Sequence, residues 1–186
     1  MRKINKRLYL GWIIAGLAGI ILFYAGALGI YVSIMGSYAG DVTAWMAVSI
    51  AVLTAGGILT VTGIVFCCLL LYKAWKAIQN GRARTTPGKA VGFLFIPLFN
   101  LYWNFIAYWG FARDYNSYLQ HKSMNSPKLA EGLFLCYPIL ALCIMLPLAG
   151  YLSGLAAMAV FAIISSRMID AVNELCTAVN TTAQTA

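Results

Sequence analysis

The chain has 186 residues, 62% of them hydrophobic and only 10% charged, with a mean hydropathy of +0.81 and a formal net charge of +8. Soluble domains carry about a quarter charged residues, so a water-soluble globule is excluded for want of polar surface, and the length allows one domain. Nucleic-acid binding is excluded as well: the 13 basic residues lie beside apolar blocks, and no recognition module accompanies them.

Residues 1–7 form a basic start, followed by an uncharged apolar block over 8–35. Ala25-Gly26-Ala27 offers a small-x-small cleavage pattern. The run nevertheless continues through Leu28, Ile30, Val32 and Ile34, which is too long for a secretory h-region. The length favours a retained first transmembrane helix, with the N-terminus cytoplasmic. A glycine-rich loop over 36–41 leads to a second uncharged block at 43–72, long enough to span with tilt. Lys73, Trp75 and Lys76 mark an interface, the aromatic at headgroup level, and Asn80-Gly81 reads as the helix stop.

The stretch 73–90 is a basic cytoplasmic loop carrying Lys73, Lys76, Arg82, Arg84 and Lys89. Near an anionic leaflet each cation contributes about 1 kcal/mol of attraction. The plainer reading is that they set topology; a specific lipid-headgroup site is the alternative. A phosphate loop is excluded, because Gly81 and Gly88 are separated by six residues and Ala90 stands where a hydroxyl is required. Thr86-Pro87 reads as an N-cap and first-turn proline that restart the helix.

Residues 91–112 are apolar and crowded with aromatics, interrupted by Pro97. Asn100 and Asn104 sit four apart on one helical face, which Tyr108 extends. They line a polar cavity, hold the broken backbone or, the favoured reading, dock this segment by interhelical hydrogen bonds. The polar stretch 113–128 follows, with the single histidine, His121. A fourth block over 131–148 contains Pro138, 147–150 reads as a tight turn, and a fifth block covers 151–168. Arg167, Asp170 and Glu174 form a charged helical end, and 177–186 is expected to fray.

If all five blocks cross the membrane, nine basic residues lie inside and four outside. If 91–112 instead re-enters or lies in the interface, all 13 face the cytoplasm. The positive-inside rule and the headgroup preference of Trp and Tyr favour the second arrangement. The expected fold is therefore an all-α integral membrane protein. It has four transmembrane helices (8–35, 43–72, 131–148, 151–168) plus a broken or interfacial aromatic hairpin; five transmembrane helices are the alternative.

Gly150 and Gly154 form a close-packing signature, and Ala15/Gly19 and Ala25/Gly29 repeat the small-x-x-x-small theme. No Asp, Glu, Lys, Arg or His lies mid-block, whereas proton relays and ion-coupled pumps need such residues. His121 lacks partner ligands, so no metal or haem site is expected. The acids are scattered, so neither a cofactor nor an enzymatic activity is expected. Cysteines 67, 68, 136, 143 and 176 read as small packing residues.

The stretch Arg84-Thr-Thr-Pro-Gly-Lys-Ala-Val-Gly-Phe-Leu-Phe-Ile-Pro-Leu-Phe-Asn-Leu-Tyr-Trp103 continues through Ala107-Tyr-Trp-Gly to Asp114-Tyr-Asn116. It resembles a block in a family of bacterial multispan membrane proteins without an assigned activity, some of which carry an added cytoplasmic GYF-like domain that this sequence lacks. The resemblance implies a bacterial cytoplasmic (inner) membrane location and singles out 84–116. The expected function is a non-enzymatic membrane subunit or scaffold. It packs its aromatic segment against a protein partner, itself or lipid, with anionic headgroups at the basic loop. A small channel or facilitator for a neutral solute, lined by Asn100 and Asn104, is the alternative.

Overall fold

A computed structural model describes residues 3–36, 42–79, 82–124, 126–146 and 150–184. The loop over 37–41, the Asn80-Gly81 stop and residues 147–149 of the expected turn lie outside the described residues. The described residues form helices and connecting turns, with no strand. In chain order these are α1 (Lys6–Ile34), α2 (Val42–Ala77), α3 (Pro87–Gly92), α4 (Phe99–Asn104), α5 (Phe111–His121), α6 (Glu131–Cys143) and α7 (Gly150–Gln184). A 3-10 turn (Phe93–Phe95) follows α3, and a π-helical turn (Phe105–Gly110) joins α4 to α5.

Three helices are long and apolar enough to cross a membrane: Lys6–Ile34, Val42–Ala77 and, within α7, Leu152–Asn180. The expected span over 131–148 appears as a helix of only 13 residues, with Pro138 buried inside it. The C-terminal tail differs from expectation. Instead of fraying from Thr177, α7 continues to Gln184, because Leu175 and Cys176 are buried and tie the helix down where a solvated end would melt.

The chain divides into two compact units, Leu8–Cys67 and Met1–Arg7 with Cys68–Ala186. The first is a pair of antiparallel helices held by small residues. A Cβ built on Gly63 would stand 2.5 Å from the Gly16 Cα, and one on Gly26 would stand 2.5 Å from the Leu53 backbone nitrogen. Gly19 faces Gly56 and Gly29 faces Ser49 in the same way. In lipid, where apolar side chains gain nothing by leaving the solvent, such backbone approach supplies the dispersion contacts that hold helices together. Phe66 closes one end, stacked on Trp12 at 5.7 Å and edge-on to Tyr9 at 5.2 Å. Leu28, Ile34, Ile58 and Val61 point outward and are exposed, as a lipid-facing surface requires.

The second unit holds the core proper. Trp75, Phe111, Tyr115, Phe134, Ile164 and Ile169 are fully buried there. The N-terminal arm belongs to it. The Asn173 side chain accepts from the Ile4 N–H (2.6 Å) and donates to the Ile4 carbonyl (2.9 Å), while Lys6 pairs with Asp170 at 2.6 Å. The expected Gly150/Gly154 packing pair separates. Gly150 closes on the Ile144 carbonyl, whereas the Cβ direction of Gly154 meets nothing within 4 Å.

Candidate functional site: the aromatic segment and its basic flank

The segment begins where Thr86 caps α3. Its hydroxyl accepts from the Lys89 N–H at 3.4 Å, and Pro87 occupies the first turn, where its missing N–H costs nothing. After the 3-10 turn the chain reverses through Ile96, Pro97 and Leu98. Phe99 N–H donates to the Pro97 carbonyl (2.7 Å), Asn100 N–H to Ile96 (2.9 Å) and Leu101 N–H to Leu98 (3.2 Å). These backbone groups of the turn are thus satisfied locally. The reversal puts Leu98 at φ 63°, a left-handed conformation that a branched side chain adopts only under strain.

Aromatic rings fold the segment on itself. Trp103 donates its indole N–H to the Ala90 carbonyl at 3.1 Å, tying α4 to α3. Phe93 packs edge-on to Trp103 at 4.7 Å, and Phe99 stacks on Trp103 at 5.5 Å. Asn104 Nδ2 donates to the Asn100 carbonyl at 3.0 Å and to Asn100 Oδ1 at 2.6 Å, so the bonds found for this pair lie within one helix, where interhelical bonds were expected. Tyr108, expected to extend that face, is buried instead against Tyr137 (4.9 Å) and Phe161 (5.7 Å). The intervening π turn changes the residue count per turn and breaks the i, i+4 spacing on which the shared face depended.

Trp75 corrects the sequence reading most clearly. Expected at headgroup level, it is wholly buried; its indole N–H donates to the Ala107 carbonyl at 3.1 Å, and its ring meets Phe111 at 5.8 Å. Ala107 lies in the π turn, where the ordinary carbonyl pairing is displaced, and a buried indole N–H needs an acceptor.

A charged closure ends the segment. Asp114 accepts from the Arg84 backbone N–H (2.9 Å) and Nε (2.9 Å), with the second guanidinium nitrogen at 2.8 Å. The Arg84 stem runs past Gly110, where an added Cβ would lie 3.2 Å from the Arg84 Cδ. Next to it, Arg82 approaches both ring nitrogens of His121 at 3.2 and 3.3 Å. A cleft between them, lined by Ile78, Asp114 and Ser117 among others, is large enough to admit water. Asn116 holds the following loop, exchanging both hydrogen bonds with Leu129 (2.8 and 2.9 Å) and donating to Glu131 at 3.0 Å.

The five expected headgroup cations therefore divide. Lys73, Lys76 and Lys89 are exposed, Arg84 is engaged by Asp114, and Arg82 lies on His121. Arg113 covers the Trp109 ring at 5.0 Å. Among the described residues no group of three or more His, Cys, Asp or Glu could hold a metal ion. Sequence reasoning missed the joint roles of Trp75, Asp114 and Asn116. Each is a polar-tipped residue beside an apolar block, a weak signal that one sequence does not separate from interface anchoring.

No family model matches the chain, and no curated protein or solved structure is significantly similar to it.

Proposed function

We propose that this protein is a non-enzymatic membrane scaffold or accessory subunit that presents a re-entrant aromatic segment, entering and leaving the bilayer on the cytoplasmic side. The observation that carries the reading is the closure of Arg84 on Asp114, thirty residues apart, with an exposed apolar turn between them. A segment that crossed completely would hold those two charges on opposite faces.

Four crossings go with this reading. The bonds of Ile4 and Lys6 to Asn173 and Asp170 favour an even number of crossings between the N-terminal arm and the charged end of α7. Asn116 bonded to Glu131 favours the start of α6 on that same side. In this arrangement the apolar block that α6 opens makes the third crossing and α7 the fourth. All 13 basic residues then face the cytoplasm, in accord with the positive-inside rule. The resemblance of 84–116 to a bacterial multispan family adds the inner membrane as the proposed location.

The two hydrogen bonds that Asn104 donates to Asn100 favour a brace within the segment over a solute pathway. In a background without the native cysteines, Ser117→Cys should react with an impermeant maleimide from the cytoplasmic side alone; reaction only from the other side refutes the re-entrant topology. Native mass spectrometry from nanodiscs should give a species heavier than one 20.2 kDa chain with annular lipid. A lone monomer without bound lipid or partner counts against the scaffold.

A further inference from the structure

The aromatic segment has two unlike surfaces. Its inner rings, Phe93, Phe99 and Trp103, pack on one another, but the turn and the first turn of α4 do not cover their outer side chains. Leu98 is 83% exposed, Phe95 63% and Tyr102 61%, an apolar cap on a tip whose backbone is already hydrogen-bonded. Water is a poor solvent for such a cap, and contiguous exposed apolar surface of this kind marks a contact with a partner or a membrane. Charge separates those two. The unit that carries the tip contains every one of the 13 basic residues against four acidic ones, and two of those acids, Asp114 and Asp170, are already paired. The unit formed by Leu8–Cys67 contains no basic residue. An apolar tip rooted in a strongly cationic base matches a molecule with hydrocarbon at one end and negative charge at the other.

Resting on the re-entrant reading, we propose that this segment is a wedge for anionic phospholipid. Leu98, Phe95 and Tyr102 sit among the acyl chains of one leaflet, and the exposed ammonium groups of Lys76 and Lys89 hold the phosphate headgroups beside its base. Lys89 belongs to α3, the wedge's own first helix, and Lys76 follows Trp75, whose indole is bonded to the wedge at Ala107. Lysine suits this role: its long stem lies along apolar surface while its ammonium group stays at headgroup level. Arg84, which could have joined them, is instead engaged by Asp114 and shapes the wedge rather than its ligand.

Two measurements on the full-length chain test this. First, the protein is taken from nanodiscs of equal zwitterionic and anionic phospholipid, and the lipids retained are counted by native mass spectrometry. Anionic lipid should be enriched, and each lysine removed should lower retention about five-fold. Lys76→Gln/Lys89→Gln should abolish the enrichment, while Lys76→Arg/Lys89→Arg should keep it; a Gln pair that retains it refutes the headgroup assignment. Second, Leu98→Cys in the cysteine-free background receives a nitroxide. Relaxation by oxygen rather than by a water-soluble nickel chelate should place it in hydrocarbon. A nitroxide shielded from both reagents means that a protein covers the tip, overturning the lipid proposal and leaving the scaffold intact. A water-exposed nitroxide overturns the wedge. The re-entrant reading stands or falls separately, on the side from which Ser117→Cys reacts.

Discussion

Arg84 and Asp114, thirty residues apart, meet through three contacts of 2.8–2.9 Å, one of them from the Arg84 backbone N–H. Arg84 is partly exposed, but the Asp114 side chain keeps only 13% of its surface. A charge-assisted network on a mostly buried carboxylate outweighs an ordinary surface pair.

Asp114→Ala should therefore cost about 1–3 kcal/mol, since it leaves the Arg84 N–H without its acceptor. Denaturant unfolding in micelles would measure the loss, and trypsin should cut sooner after Arg82 or Arg84. A variant that unfolds and cleaves like the parent would show that this closure holds nothing.

Asn116→Ala should be at least as damaging, by about 2–4 kcal/mol, because both backbone groups of Leu129 lose their partner. Asn116→Asp should fare little better, since its carboxylate replaces a donor beside Glu131, 3.0 Å away. Hydrogen exchange at the Leu129 amide is the direct readout; unchanged protection in Asn116→Ala would contradict the role assigned here.

Gly63→Ala places a Cβ against the Gly16 backbone, 2.5 Å from its Cα, and should destabilise the α1–α2 pair by about 1–3 kcal/mol. Gly154→Ala is the matched control, because its Cβ meets nothing within 4 Å. Equal effects of the two on thermal unfolding would refute the glycine seam.

Leu98→Gly should stabilise the fold by about 1 kcal/mol, since glycine adopts φ 63° without the steric penalty that leucine bears. A lower melting temperature would mean that the Leu98 side chain contributes more than its strained backbone costs.

Tyr115 carries the pH dependence. Burial, with the Glu174 carboxylate adding to it, pushes the phenol up to about 12, while its hydroxyl lies buried without a hydrogen-bond partner. The folded state holds the proton more tightly than the unfolded chain, whose tyrosine titrates near 10. The contribution is thus fully present below about pH 10 and is lost as pH rises towards 12. Tyr115→Phe should remove that part of the alkaline loss and stabilise the fold at neutral pH, because an unpaired hydroxyl is deleted. The difference between the two unfolding curves from pH 8 to 12 measures it, and a constant difference would exclude the assignment.

Hydropathy alone predicted long apolar helices, because uncharged runs such as 8–35 and 43–72 suit a bilayer-length helix, and α1 and α2 are helices long and apolar enough to cross a membrane. Local chemistry was legible too. Thr86-Pro87 restarts the helix where the cap rule puts it, and Pro97 marks the reversal. Asn100 and Asn104, four apart on one helical turn, do meet.

Only the tertiary structure decided the rest, because it depends on pairs far apart in the chain. The spacing of Gly16 and Gly63 on two different helices does not reveal that they oppose one another. Trp75 looks like any interfacial anchor until a π turn, itself invisible in the residue pattern, turns the Ala107 carbonyl towards it. Arg84 reads as one more topology cation until Asp114 is brought beside it. Apolar length is a local property, so the helical class and the long helices over 8–35 and 43–72 can be read locally, whereas the expected span over 131–148 appears as a helix of only 13 residues. Partner choice among such helices rests on shape and on a few polar contacts, which exist only once the chain has folded.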